Sequence, residues 1–96
     1  MKISAQEEYG IRCLLYIGRN TATGGSNISA ISKAERITPS NTAKLVRILR
    51  MHGFVESSRG KDGGYTLAKA PADIRLSEVF EVLGGKLFGQ GFCDHY

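Results

Sequence analysis

The chain has 96 residues, 42% of them hydrophobic, and carries 13 Lys and Arg against 9 Asp and Glu, a net charge of +4. This length accommodates one small domain and excludes two, with a modest core. No apolar run approaches the roughly 20 residues that span a bilayer, nothing resembles a signal peptide, and Cys13 and Cys93 form no paired-cysteine framework, so a soluble, cytoplasmic protein with reduced thiols is expected.

The run SAQE at 4–7 is a capping box, in which Ser4 accepts from a first-turn amide while Glu7 reaches back. A helix therefore starts here. Ile11, Leu14, Leu15 and Gly18 recur at helical spacing as its inner stripe, and NTATGG at 20–25 ends it, giving a helix from Ala5 to Arg19. Cys13, beside Tyr9 and Ile17, reads as a small core residue. Asn27 caps a second, shorter helix, with Ile28 and Ile31 on one face, that runs to Glu35. A turn at Arg36 and Ile37 follows. Thr38 as cap and Pro39 at the first helical position open a third helix, where the proline's missing N–H would have had no partner in any case. Thr42, Leu45, Val46 and Leu49 form its buried stripe, His52 meets the C-terminal dipole, and Gly53 suits the left-handed position beyond its end.

Two short helices joined by a tight turn make a helix-turn-helix candidate, although other helical pairs look similar. The face of the third helix opposite its apolar stripe carries Ser40, Ala43, Lys44 and Arg47, flanked by Asn41 and Ile48 and continued by Arg50 and Met51. Small polar residues near a helix start, with cations further along, suit an element whose first turn meets base edges and whose body meets phosphate. A solvated surface helix also carries Lys and Arg, but it more often intersperses Glu, and there is no acid between Thr38 and Gly53. The charge is concentrated in the same region: residues 36–69 hold seven cations against two acids, as the footprint for a polyanion would.

FVESS and YTLA alternate in the manner of strands, and the RGKDGG run between them has the glycines of a reversing loop, so 54–68 is expected to form a β-hairpin presenting Arg59 and Lys61. A nucleotide-binding loop is excluded by context, because no Ser or Thr follows GK and no helix starts there. A hairpin joined directly to the end of a basic helix is a wing beside a recognition helix. After a turn at Pro71, Leu76, Val79, Phe80 and Leu83 form the apolar face of a fourth helix over Leu76–Leu83, with Asp73 standing in for a capping residue. The expected fold class is mainly α with a small β-hairpin, a winged helix-turn-helix over residues 1–84 followed by a glycine-rich tail at 85–96.

In this order of elements the chain resembles the Rrf family of bacterial winged-helix transcription regulators, which includes IscR, NsrR and CymR. The resemblance rests on ISAQEEYGIRCLLYIGR, on ITPSNTAKLVRILRMHGFVESSRGKDGGYTLAK and on LSEVFEVLGG, with GFVESSRGKDGGY the most specific piece. It implies a homodimer that binds a near-palindromic double-stranded DNA operator. By position it assigns Ser40, Asn41 and Lys44 to the helix in the major groove and Arg59 with Gly60 to the wing at the minor groove. Thr38, Arg47, Arg50 and Lys61 complete the set of candidate DNA-contacting residues. The resemblance also implies, for many members, an iron–sulfur cluster that senses iron, redox state or nitric oxide. Cys93 stands where the first of three ligating cysteines would be, and Glu8 matches a fourth ligand supplied by the partner subunit's first helix. The other two cysteines and the dimerisation helix would lie beyond Tyr96, so a cluster is an expectation for a longer parent and none is expected in these 96 residues. Glu8 as a solvated helix residue and Cys93 as an ordinary thiol stand beside these assignments.

An enzyme is disfavoured, because no grouping of His, carboxylate and nucleophile appears. A sequence-independent nucleic-acid binder is favoured by charge but lacks the interleaved aromatics on which bases stack. A regulator without a cluster, controlled by a protein partner or a small molecule, is the third alternative.

Overall fold

A computed structural model of the chain describes residues 4–58 and 63–84. Its elements in order are α1 (Ala5–Asn20), α2 (Ile28–Glu35), α3 (Pro39–Met51), β1 (Val55–Ser58), β2 (Gly64–Leu67) and α4 (Leu76–Gly84), with short 3-10 turns at Thr21–Thr23 and Pro71–Asp73. This is a winged helix: three helices, a two-stranded antiparallel hairpin and a fourth helix. Among the described residues no helix is long and apolar enough to cross a membrane.

The start signals act as the sequence suggests. Ser4 Oγ accepts from the Glu7 amide at 3.1 Å while Glu7 Oε1 accepts from the Ser4 amide at 2.9 Å, so two otherwise unpaired donors of α1 are satisfied reciprocally. Asn27 Oδ1 caps α2 by accepting from Ala30 N at 2.7 Å. The turn between α2 and α3 is closed by Arg36 in the left-handed region (φ 57°), which sends its amide back to Ser32 O. Buried Ser32 is satisfied in turn, because its hydroxyl donates to the Ile37 carbonyl.

The core is built from Cys13, Leu14 and Ile17 of α1, Ile31 and Ile37 around the turn, Leu45, Val46 and Leu49 of α3, Phe54 and Val55 at the root of the hairpin, and Val79 and Leu83 of α4. This corrects the expected inner stripe of α1. The buried residues are Gly10, Cys13, Leu14 and Ile17, while Leu15 is 53% exposed. Both sets satisfy the same helical spacing, and the one adopted puts its smallest residue, Gly10, under Leu83, which lets α4 approach the α1 backbone. The apolar face of α4 is corrected too: Val79 and Leu83 are buried, Phe80 is half-buried, and Leu76 is 55% exposed. Leu15 and Leu76 line one shallow apolar groove with Gly18, Leu67 and Ile74. Asp73 does not cap α4. It belongs to the preceding 3-10 turn, and the Arg75 carbonyl accepts the first hydrogen bonds of the helix, from Glu78 N at 3.0 Å and Val79 N at 3.1 Å.

In the hairpin Val55 pairs with Leu67, Glu56 with Thr66, Ser57 with Tyr65 and Ser58 with Gly64. Beyond it, Ser26 forms a single antiparallel bridge to Tyr65, with amide-to-carbonyl distances of 3.0 and 2.8 Å. The connection between α1 and α2 thus adds a one-residue third strand beside β2.

Candidate nucleic-acid interface

α3 is fixed at its start and from within. Thr38 Oγ1 accepts from Asn41 N at 3.2 Å, and the Thr38 carbonyl takes both the Thr42 amide (2.8 Å) and the Thr42 hydroxyl (2.9 Å). Thr42, Leu45, Val46 and Leu49 are fully buried. With that stripe inward the opposite face must point outward. Ser40, Ala43, Lys44, Arg47 and Arg50 are exposed, Asn41 and Ile48 are half-buried, and Met51 is 68% exposed. Ser40, Lys44, Arg47 and Met51 fall in i, i+4, i+7, i+11 register and so run down the helix as one stripe. Among the described candidate residues of α3 and its cap, Thr38 is the one whose side chain is already engaged, in capping.

The electrostatics of this face differ from those of α1. Among the described residues the ion pairs fall on Arg12 and Arg19, which meet Glu8 and Glu35; Lys44, Arg47 and Arg50 have no carboxylate partner there. No acid occurs between Glu35 and Glu56, so nothing along α3 or its flanking turns offsets the three cations. His52 follows as the C-cap residue, exposed, its amide donating to Ile48 O at 3.2 Å.

The hairpin leaves α3 by a short, stiff route. Gly53 takes φ 82°, Phe54 N returns to Leu49 O at 2.9 Å, the Phe54 ring is buried, and the Phe54 carbonyl accepts the Ala68 amide at 3.0 Å where the chain comes back. Lys69 lies 5.1 Å from the centre of the Phe54 ring. The wing residues Arg59, Gly60 and Lys61 lie outside the described residues, which end at Ser58 on one side and resume at Gly63 on the other.

The expected metal ligands are not gathered by the described part of the molecule. Glu8 is exposed on the first turn of α1 and pairs with Arg12 at 3.4 Å. Cys93 lies outside the described residues. Cys13 is fully buried, and burial, reinforced by the charge of Glu35 and opposed by Arg12, pushes its thiol up to about 11, the opposite of a ready thiolate ligand. Among the described residues no three His, Cys, Asp or Glu side chains come together in a way that could hold a metal ion. These residues do not form a cluster site by themselves.

Two groups of residues escape the sequence reading. Glu35, with its side chain only 14% exposed, accepts from Arg12 Nε at 3.2 Å and meets Arg19 at 3.7 Å, tying the end of α2 to α1. Thr21, Gly24, Gly25 and Ser26 reach the hairpin; a single bridge has no periodicity, and the glycine pair at 24–25 is the one trace of a close approach.

A family model named Rrf2 and described as "Iron-dependent Transcriptional regulator" matches residues 3–94. Among named relatives, NsrR of Geobacillus kaustophilus, an HTH-type transcriptional regulator, is 35% identical over 79 residues, covering 82% of this chain and 54% of that protein. CymR of Bacillus subtilis, also an HTH-type transcriptional regulator, is 30% identical over 87 residues, covering 91% of this chain and 63% of its own. Among solved structures, T. potens IscR superposes with a TM-score of 0.80 at 29% identity over 86% of this chain and 61% of that one. CymR of B. subtilis, described as the global cysteine regulator, gives 0.81 at 29% over 88% and 66%. The named relatives are regulators, not enzymes, and the chain spans little more than half the length of several of them.

Proposed function

The chain belongs to the Rrf2 family of transcriptional regulators, and on that footing we propose that it is the double-stranded-DNA-reading portion of such a regulator. α3 enters the major groove, Ser40 and Asn41 in its first turn face base edges, and Lys44, Arg47 and Arg50 meet phosphates. The hairpin carries Arg59, Gly60 and Lys61 to the minor groove, and a near-palindromic operator is bound by two copies. The observation that carries this reading is the outer face of α3, where three cations are exposed without a carboxylate partner among the described residues. Such cations are free to displace counterions from a polyanion.

The iron dependence in the family's description would reach this chain through Cys93 and Glu8. The DNA-binding reading rests on α3 and the hairpin, without a cluster.

Titrating the chain onto duplex DNA at a series of salt concentrations tests the reading. Log K is expected to fall linearly with log salt, and Lys44→Ala or Arg47→Ala to flatten that slope by about 0.9 for each phosphate no longer neutralised, on random and selected sequences alike. Binding with no salt dependence, or slopes unchanged by both substitutions, would overturn it.

A further inference from the structure

The hairpin is held from two sides, and only one of them is the recognition helix. On the α3 side Gly53 and buried Phe54 make the link. On the other side the connection between α1 and α2 grips it at several points. Thr21 Oγ1 accepts the Leu67 amide at 3.1 Å while its own proton goes to the Ile17 carbonyl at 2.8 Å, so one hydroxyl joins the last turn of α1 to β2. Ser26 and Tyr65 exchange two main-chain hydrogen bonds. Ser58 Oγ donates to the Gly24 carbonyl at 3.2 Å. The backbones are nearly in contact: a Cβ at Gly64 would stand 2.9 Å from the Ser26 carbonyl carbon and oxygen, and one at Gly25 would stand 3.0 Å from Tyr65 O and 3.3 Å from Ser58 Oγ.

Two placements give this grip a consequence for recognition. Ser58 is the last residue of β1, immediately before the wing loop, so its hydroxyl restrains the base of that loop. Ser26 is followed directly by Asn27, the cap of α2, so one stretch of backbone both starts the helix-turn-helix and holds β2. The angle between α3 and the wing is therefore set by the connection as well as by Phe54.

We propose that Thr21 and Ser58 are positioning residues for DNA recognition, whose hydroxyls hold the wing at a fixed pitch to α3 and so determine how strongly the protein discriminates the sequences flanking its major-groove core. The inference rests on the DNA-binding function proposed for α3 and the wing. Flanking sequence is read through minor-groove width and its enhanced negative potential, so a wing free to swing would sense it less, whereas the base contacts proposed for α3 are made by another element.

The test uses the full chain and a core sequence selected from a random duplex library, flanked either by A-tracts or by G·C-rich DNA. Affinities are measured for the two flanks and for a scrambled core. The wild type is expected to favour A-tract flanks. Ser58→Ala, at an exposed hydrogen bond, and Thr21→Val are each expected to lower the flank preference about two- to ten-fold, the equivalent of one net hydrogen bond, while the ratio of selected to scrambled core stays as in the wild type. A merely structural role would lower both ratios together, and that outcome overturns the proposal. So does a flank preference unchanged in Ser58→Ala with circular dichroism showing a native fold. If the wild type binds no duplex, the DNA-binding function itself falls; if it binds the core but ignores the flanks, DNA binding stands and the positioning role is overturned.

Discussion

Gly10 on α1 lies directly beneath Leu83 on α4, so closely that a Cβ at position 10 would stand 2.5 Å from both Leu83 methyl groups. This packing is next to the point where Gln6 Nε2 donates to the Leu83 carbonyl, so the two helices are joined at this end by close approach and by a hydrogen bond. Gly10→Ala should therefore destabilise the fold by about 1–3 kcal/mol through overpacking, even though alanine is the better helix former. Leu83→Ala alone should cost about 2–5 kcal/mol by leaving a cavity. In the double variant the new methyl partly fills that cavity, so urea denaturation should show a loss smaller than the sum of the two.

On α3 the capping residue and the residues proposed to face bases should separate experimentally. Thr38→Ala removes the acceptor of the Asn41 amide and should lower stability by about 1 kcal/mol, with DNA affinity falling alongside it. Ser40→Ala and Asn41→Ala remove side chains that take no part in that cap, so thermal stability should hold. Their effect should be a change in preference at one base position, of about 1–3 kcal/mol where a bidentate hydrogen-bonded pair with the base is removed. Equal weakening on selected and random duplexes would refute the division of roles.

The Glu35 pairings predict an ordering. Arg12 is 39% exposed and reaches both the Glu35 carboxylate and its carbonyl, whereas Arg19 is 63% exposed and stands 3.7 Å away. Removing Arg12 should cost more than removing Arg19, which as a surface pair should contribute about 0–1 kcal/mol. Raising the salt concentration should narrow the gap only slightly, because the carboxylate on which they converge is largely shielded from solvent. Chemical denaturation of the two alanine variants at low and high salt checks this.

Cys13 should be inert as a thiol. Its folded-state value is raised from 9.0 to about 11, chiefly by burial. Between those two pH values the native state keeps a proton that the unfolded chain has released, so stability from this group is intact below about pH 9 and declines as pH rises toward 11. Alkylation with iodoacetamide at pH 8, followed by peptide mass mapping, should leave Cys13 unmodified in the native protein and label it fully in urea.

Local signals are legible in this sequence and long-range ones are not. Ser4 with Glu7, Asn27, and Thr38 with Pro39 mark helix starts correctly because capping is decided within four residues of chain. The stripe on α1 is ambiguous by one position, since Ile11, Leu14, Leu15 and Gly18 obey the same period as the actual Gly10, Cys13, Leu14 and Ile17; only the arrival of Leu83 from the far end of the chain distinguishes them. Leu76 looks like a core residue for the same reason. Of the candidate interface, the exposure of the outer α3 face is legible because it is a single helix with a single inner stripe. The grip of residues 21–26 on the hairpin is not, because it depends on carbonyls, amides and two hydroxyls, which leave no hydrophobic pattern.

Since Ser26 and Tyr65 hold each other by main-chain atoms in both directions, neither side chain is itself the link. Other small residues at 26 would preserve it, and proline at either position is the one replacement that takes away a donor outright. The hairpin's mount thus has two parts, one carried by the backbone at Ser26 and Tyr65 and tolerant of substitution, the other by the Thr21 and Ser58 hydroxyls and sensitive to it. Sequence change at Ser26 is therefore compatible with an unaltered frame for the hairpin, as long as the replacement is small and keeps its amide.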